Sequence, residues 1–530
     1  MFIEVFNGKH VKCVSKWGKF VAFMVRMGKL RKGYLAMFEA LELGRKVSKE
    51  TYKEQEPEIR TQLLEVQGLL KEANIPVIII VSGVEGAGKG EVVNRLNEWL
   101  DTRDLRTHAF WEDSDEERER PHFWRFWRKM PPRGTMGIMF GSWYTRPIVN
   151  RVFEEISDAD LDAELSRIVE LEHMLSRDGV LVVKFWFHLS KAEQAIRIHE
   201  DDKKFKRKKE DSLEQRFAEH YDRFAEVSEA AIRQTDGGKS PWYLIEASSK
   251  LYRDLTVGRT LIDAIRHRLK HNISFREPDS IHRPLPPEAS SATVTILDQI
   301  DLSESLSNKD YKSQLKKYQN RLGELTWAAR NLKRSSVAVF EGWDAAGKGG
   351  AIRRITASMD ARLYRTISIA SPTDEELAQH YLWRFWRHIP QAGYVTIYDR
   401  SWYGRVLVER VEGFAKDYEW MRSYQEINSF EEQMYQHGTV INKFWIHISQ
   451  EEQLKRFKER EKVAWKQYKI TDEDWRNREK WDDYKEAVNE MVARTSTNGS
   501  RWHIIPGNDK RFARVAILKT LCQSLEEALD

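Results

Sequence analysis

An offset of 259 residues lays this chain on top of itself. Trp124-Arg-Phe-Trp-Arg128 recurs as Trp383-Arg-Phe-Trp-Arg387, Ser142-Trp-Tyr144 as Ser401-Trp-Tyr403, and Lys184-Phe-Trp186 with His188 as Lys443-Phe-Trp445 with His447. After a one-residue shift, Pro241-Trp242 and Lys250 match Arg501-Trp502 and Lys510. Ile59, Leu63, Val66 and Leu70 fall at helical spacing and meet Tyr318, Leu322, Leu325 and Ala329. So long a period excludes a solenoid and calls for one domain written twice. Between the copies, residues 276–294 hold four prolines and three serines, a composition suited to an extended linker. The expected organisation is a basic extension over 1–36, domains over 37–275 and 295–530, and the linker over 276–294.

One matching stretch carries chemistry. Val337-Ala-Val-Phe-Glu-Gly-Trp-Asp-Ala-Ala-Gly-Lys-Gly-Gly350 runs from an apolar β-type segment into Gly342-x-x-x-x-Gly347-Lys348 and then into helix-forming sequence. That is the strand–loop–helix context of a phosphate-binding P-loop. Its glycines let successive backbone N–H groups point inward, and the helix N-terminus adds its positive end. The pattern alone is common by chance. Its recurrence at Gly83-x-x-x-x-Gly88-Lys89, after Pro76-Val-Ile-Ile-Ile-Val-Ser82, makes it specific.

Each copy reads as a leading amphipathic helix, the P-loop strand and helix, and a Trp/Arg segment. A short strand ending at Phe140 or Asp399 follows, then one through 180–189 or 439–448. Strands alternating with helices imply an α/β fold, a parallel sheet covered on both faces and duplicated in tandem, with phosphate sites at the carboxyl ends of the strands. Two cysteines among 530 residues exclude a disulfide framework or a thiolate zinc site. The longest apolar runs are too short to span a bilayer. A soluble, cytoplasmic setting is expected. The net charge of +5 is unevenly placed, because residues 1–36 carry eight Lys/Arg and one Glu. This stretch reads either as a basic arm for membrane or nucleic acid or as sequence outside the fold, with Met37 as the true start.

The second copy holds a full phosphotransfer set. Thr396-Ile-Tyr-Asp399-Arg400 ends a strand with a carboxylate, as a Walker B element does, and follows it with a guanidinium. A carboxylate there can hold Mg²⁺, and Arg400 can spread donors over phosphoryl oxygens. Lys348 is followed by Gly349 rather than the usual metal-binding Ser or Thr. Asp344, inside the loop, is the oxygen donor that can replace that hydroxyl; the bland alternative for both aspartates is a turn or surface role. Downstream, Arg456 and Arg460 share a helix face, with Lys466 and Lys469 beyond. They form either a phosphate-clamping lid or a solvated charged helix. The Trp-Arg-Phe-Trp-Arg segments either stack on bases or supply core aromatics.

Gly342-Trp-Asp-Ala-Ala-Gly-Lys-Gly-Gly350, Trp383-Arg-Phe-Trp-Arg387, Asp399-Arg-Ser-Trp-Tyr-Gly-Arg405 and Arg456-Phe-x-x-x-Arg460 closely resemble the second family of polyphosphate kinases, and the duplicated layout resembles its two-domain members. The resemblance spans 37–530. It implies a P-loop kinase-like core with a helical lid, moving phosphoryl groups between inorganic polyphosphate and nucleotides with Mg²⁺. It places working residues at Asp344, Lys348, Asp399, Arg400 and Arg460, with Asp344 and Asp399 on the metal. The loop Gly342, Ala345, Ala346, Gly347, Lys348 and Gly349, with Arg405, is expected to bind phosphate. In the first copy, Phe140 stands for Asp399, Gly141 for Arg400, Asp201 for Arg460 and Glu85 for Asp344. That copy is expected to be catalytically dead.

The expected activity is transfer of the terminal phosphoryl group of polyphosphate to AMP, giving ADP, by a homo-oligomer that binds neither nucleic acid nor membrane. Rival readings are the same scaffold acting on ADP or GDP, an ATP-dependent kinase or GTPase, and a nucleic-acid-binding protein. An Asn/Thr-Lys-x-Asp base-reading motif is absent, which counts against a GTPase. The slightly acidic charge beyond residue 36 counts against nucleic acid.

Overall fold

The computed structural model describes residues 36–205, 219–271, 294–463 and 472–530. The basic stretch 1–35, residues 276–293 of the expected linker, and Lys466 and Lys469 lie outside the described residues. Two compact units are present. Among the described residues, one comprises 36–111 with 130–271 and the other 112–129 with 294–530.

In the first unit, β1 (Val77–Gly83), β2 (Leu105–Ala109), β3 (Met136–Phe140), β4 (Leu181–His188) and β5 (Trp242–Glu246) form one sheet in the order β2-β3-β1-β4-β5. All neighbours are parallel. The second unit repeats this with β6 (Ser336–Gly342), β7 (Tyr364–Ser368), β8 (Val395–Asp399), β9 (Val440–His447) and β10 (Trp502–Pro506), in the order β10-β9-β6-β8-β7. These pairs are parallel too. Each P-loop strand is central and almost wholly buried, in keeping with its apolar run, Val77–Val81 or Val337–Phe340. The edge strands β2 and β7 are mostly exposed, and their polar Leu-Arg-Thr-His-Ala and Tyr-Arg-Thr-Ile-Ser runs carry no apolar pattern, so they are not legible as strands in the sequence.

Helices cover the sheets. In the first unit, α1 (Lys49–Glu72), α2 (Lys89–Trp99), α3 (Asp158–Arg177), α4 (Lys191–Phe205), α5 (Tyr221–Thr235) and α6 (Lys250–Lys270) are the principal ones. The second has α7 (Asn308–Asn331), α8 (Lys348–Thr356), α9 (Asp417–Gln436), α10 (Gln450–Glu461), α11 (Asp472–Glu479), α12 (Trp481–Thr495) and α13 (Lys510–Leu529). The leading helices α1 and α7 start at serine N-caps, Ser48 and Ser307, whose side chains accept from the N–H groups of Thr51 and Asp310. They pack on α6 and α13 respectively. The expected stripe is buried in α1, while in α7 Leu322, Leu325 and Ala329 are buried and Tyr318 is half-buried. No helix among the described residues is long and apolar enough to cross a membrane.

The repeated aromatic and lysine motifs meet in one buried network per unit. Lys184 Nζ donates to Glu172 Oε2 (2.7 Å), Tyr144 Oη (3.1 Å) and the Thr235 carbonyl (2.8 Å). Lys443 Nζ repeats this with Glu431 (2.7 Å), Tyr403 (2.8 Å) and Thr495 (2.6 Å). Trp143 and Trp402 each donate their indole N–H to the same glutamate. Burial pushes both lysines below the ordinary value, against the pull of their glutamates. Trp124, Phe126 and Trp127, like Trp383, Phe385 and Trp386, are also buried, and within the second unit Trp127 stacks on Trp386 at 5.7 Å. These rings belong to the core and are not available to stack on bases.

Candidate active site

Central strand β6 delivers Gly342 into the loop Trp343–Gly347 and then into α8. Gly342 holds φ +146°, and a Cβ there would come within 2.7 Å of the Ile446 carbonyl oxygen on β9, so only glycine lets the strand turn here. Gly347, at φ +116°, is the N-cap of α8, and a Cβ there would meet nothing within 4 Å. The mouth of the loop is therefore open beside a helix N-terminus. Ala345 adopts φ +62°, a conformation L-residues seldom take and one that binding loops commonly store. Lys348 Nζ folds back to donate to the carbonyls of Gly342 (2.6 Å) and Trp343 (3.3 Å).

Strand β8 pairs with β6 in the register Phe340↔Asp399, which brings the end of one strand beside the loop of the other. Arg400 follows in a left-handed turn, φ +64°, pinned by its N–H donating to the Phe340 carbonyl (3.0 Å). The turn sends its guanidinium to Asp344, with Nη2 donating to Oδ1 at 3.3 Å, and Nη1 lies 3.9 Å from Glu473. Burial opposes the Arg400 charge most, yet Asp344, Glu341, Glu473 and Asp399 outweigh it, and its pKa stands above the ordinary value. Asp399 faces the start of α8, where a Cβ on Gly349 would lie 3.9 Å from its Oδ2.

Asp344, Lys348, Asp399 and Arg400 are thus gathered at one loop, and Gly342, Ala345, Ala346, Gly347 and Gly349 build that loop. Arg405 is engaged by Glu409 (2.6 Å) and packs its guanidinium over the Tyr381 ring at 4.7 Å. Arg456 is not a surface lid residue. Buried on α10, it donates to the carbonyls of Ala345 (3.1 Å), Ala346 (2.8 Å), Gly507 (2.7 Å) and Asn508 (2.8 Å), bracing the loop from behind. Its counterpart Arg197 binds the carbonyls of Gly86, Ala247 and Ser248 in the same manner. Arg460 lies one turn further along α10 and is partly exposed.

Three side chains at the site escape sequence reasoning. Glu341, the penultimate residue of β6, is 5% exposed and accepts from Ser401 Oγ (2.8 Å). Burial raises its pKa, against the attraction of Lys348 and Arg400. Asn477 on α11 donates to Asp344 Oδ2 (3.0 Å), and Tyr484 on α12 donates to Asn477 Oδ1 (3.2 Å). One signal was present: the offset pairs Glu341 with Ser82, so it varies between copies just as the catalytic candidates do.

Among the described residues, no group of three or more His, Cys, Asp or Glu is arranged to hold a metal ion. The chain itself offers two hard oxygen donors, Asp344 from the loop and Asp399 from the strand. That set fits Mg²⁺, which takes one or two carboxylates and completes its shell with phosphate oxygens and water. The facing of Asp399 onto a side-chain-free Gly349 leaves room where a P-loop hydroxyl normally stands.

The first unit's loop is filled by its own side chains. Lys89 Nζ, besides the carbonyls of Gly83 and Val84, donates to Glu85 Oε1 at 2.9 Å and is neutralised within the loop. A Cβ at Gly88 would collide with the guanidinium of Arg253, a fully buried residue that donates to Glu91 (2.8 Å) and the Ala87 carbonyl (3.1 Å). The Phe140 ring lies 3.9 Å from a Cβ on Gly90, where Asp399 faces Gly349 in the other unit.

The profile of the family described as Polyphosphate kinase 2 (PPK2) matches residues 46–273 and again 305–530. The polyphosphate:AMP phosphotransferase of Pseudomonas aeruginosa is 48% identical over 495 residues, 93% of this chain and 99% of the relative. That of Acinetobacter johnsonii is 37% identical over 469 residues, 86% and 92% of the two chains. A solved structure from Pseudomonas aeruginosa PA01 assigned to polyphosphate kinase 2 superposes with a TM-score of 0.83 at 46% identity, covering 93% of this chain and 99% of that one. Two tandem matches over nearly the whole length, on two sheets of one topology, show that this chain belongs to the second family of polyphosphate kinases.

Proposed function

We infer that this protein is a polyphosphate:AMP phosphotransferase, moving the terminal phosphoryl group of inorganic polyphosphate onto AMP to give ADP, and that it works at the second P-loop. The observation that carries the location is the contrast between the two lysines. Lys348 donates to two backbone carbonyls of its loop, whereas Lys89 is paired with a carboxylate of its own loop. An ammonium resting on neutral acceptors gains by exchanging them for anionic phosphate oxygens, because charge-assisted bonds are about twice as strong.

The chemistry asks little else of the protein. An AMP phosphate oxygen, already anionic at neutral pH, attacks the terminal phosphorus in line. The bond from that phosphorus to the bridging oxygen breaks, and the shortened polyphosphate leaves with the electron pair. No general base is needed. Positioning and charge neutralisation supply the rate. Lys348 follows the phosphoryl group in flight, Arg400 spreads its donors over the equatorial oxygens, and Arg460 adds charge from α10. Asp344 and Asp399 would hold Mg²⁺, which supplies charge neutralisation between the two anions. Arg456 keeps the loop carbonyls turned away from the phosphates.

The test is to incubate purified protein with AMP, Mg²⁺ and polyphosphate, without ATP, and to identify the product. ADP is expected; turnover confined to ADP or GDP as acceptor would overturn the choice of AMP. In the same assay Asp344→Asn and Asp399→Asn should each raise the Mg²⁺ requirement and cut turnover by about 10²–10³, the usual loss of one electrostatic stabiliser. Unchanged magnesium titrations in both would remove them from the metal.

A further inference from the structure

Asp344 can take a divalent cation only if its carboxylate is kept from closing onto the cations around it. It sits in an open loop next to a guanidinium, and a carboxylate so placed tends to collapse into an ion pair. The first unit shows that outcome, since Glu85, at the matching position, bridges its own lysine at 2.9 Å. In the second unit, Asp344 approaches Arg400 only at 3.3 Å and is held on its other oxygen by Asn477 at 3.0 Å.

Asn477 is itself fixed. Its amide oxygen accepts from Tyr484 Oη at 3.2 Å while its amide nitrogen donates to Asp344. A flipped amide would set oxygen against carboxylate and leave the tyrosine hydroxyl without its acceptor, so the two partners select one orientation. Tyr484 belongs to α12, whose first residue, Trp481, stacks on Trp343 with centroids 3.6 Å apart and planes 8° from parallel. Trp343 immediately precedes Asp344, and its indole N–H donates to His447 Nδ1 at 3.1 Å. The loop backbone and the aspartate side chain are therefore referenced to the same helix. The equal-length helix of the first unit, α5, aligns Phe224 with Tyr484 and so lacks the hydroxyl, and Val84 replaces Trp343. Loop carboxylate, hydroxyl and indole differ together.

We propose that Asn477 is a positioning residue, oriented by Tyr484, that holds the Asp344 carboxylate in the rotamer needed to take a divalent cation. It touches neither substrate nor metal. It stops Asp344 from pairing closely with Arg400, and so leaves both groups free for the phosphate–metal complex. The inference rests on Asp344 being a metal carboxylate.

The experiment uses full-length protein and Mn²⁺ as the probe, with binding followed by electron paramagnetic resonance in the presence of polyphosphate and without nucleotide. Asn477→Ala should weaken Mn²⁺ binding about tenfold, the lower end of what outer-sphere partners of ligating groups contribute. Tyr484→Phe, which removes one oxygen, should weaken it a few-fold. In steady state both should raise the Mg²⁺ concentration for half-maximal rate in proportion, with KM for AMP unchanged and excess Mg²⁺ restoring kcat. Wild-type Mn²⁺ affinity in Asn477→Ala and in Tyr484→Phe would overturn the proposal, whatever their thermal midpoints. Should Asn477→Ala fail to fold, Tyr484→Phe decides by itself. Asp344→Asn run alongside separates two failures: if it too binds Mn²⁺ normally, the metal assignment of Asp344 falls and takes this proposal with it. If it loses Mn²⁺ while the other variants do not, only the role of Asn477 falls.

Discussion

The two P-loops of this chain share a strand, two glycines and a lysine, yet one is open and the other is occupied by its own residues. Around Lys348 the carboxylate within the loop, Asp344, is drawn outward to Arg400 and Asn477. Around Lys89 it turns inward, Arg253 fills the space beside Gly88, and Phe140 covers Gly90. The rest of the repeat behaves oppositely. The Lys184–Glu172–Tyr144 and Lys443–Glu431–Tyr403 networks match bond for bond, and the Arg197 brace repeats three of the four carbonyl bonds of Arg456. What the copies share is scaffold, and what they do not share is chemistry. A P-loop pattern therefore reports a backbone shape and is silent on whether that shape is available to a phosphate.

The contrast is easiest to break at the two lysines. Lys348→Ala should lower ADP formation at least 10²–10³-fold, as loss of a transition-state charge does, whereas Lys89→Ala should leave turnover number within a factor of about two. Circular dichroism on both variants keeps folding apart from chemistry. Loss of most turnover in a folded Lys89→Ala protein would show that the first loop takes part after all.

The shared scaffold makes a second, smaller prediction in which the two units should respond alike. Lys184→Met and Lys443→Met each strand a buried glutamate, Glu172 or Glu431, both 1% exposed. Each should destabilise its unit by about 3–5 kcal/mol, the usual result of removing one partner of a buried pair. Denaturant melts that show one substitution silent and the other severe would contradict a common structural role.

The smallest effect expected is on pH. Burial pushes His447 down to about 4 from its ordinary 6.5, and its Nδ1 accepts from the loop residue Trp343. Between these values the unfolded chain binds the proton and the native chain does not. The stability contributed by the neutral ring is thus complete above about pH 6.5 and falls as pH drops toward 4. At pH 5 the loss is on the order of 2 kcal/mol. His447→Gln should flatten the decline in thermal midpoint between pH 7 and 5. An equally steep decline in that variant would assign the acid sensitivity elsewhere. His188, its counterpart, is also lowered by burial, but Glu42 at 2.9 Å supports its charged form.

Much of this protein is legible in one dimension because the signals are local. The P-loop is seven contiguous residues after an apolar strand, and the Walker B pair is Asp399-Arg400 at a strand end. Duplication doubles every signal, and the substitutions Phe140, Gly141 and Glu85 can be read directly against Asp399, Arg400 and Asp344. From these the α/β class, the tandem layout and the inequality of the halves follow without coordinates.

Tertiary structure alone decided what each charged group faces. Arg456 and Arg460 share a helix face by spacing, yet the first is buried under the loop and the second is partly exposed. Asn477 lies 133 residues from Asp344, and Arg253 lies 166 from Ala87, separations over which no pattern of residue types predicts contact. The edge strands β2 and β7 form because a neighbouring strand offers unpaired backbone groups. Their own side chains do not specify them. Residue type and spacing fix the backbone that phosphate needs. In the first half the loop acid turns to its own lysine four residues away, and in the second it is drawn out by Arg400 and Asn477, which only the packed chain brings there.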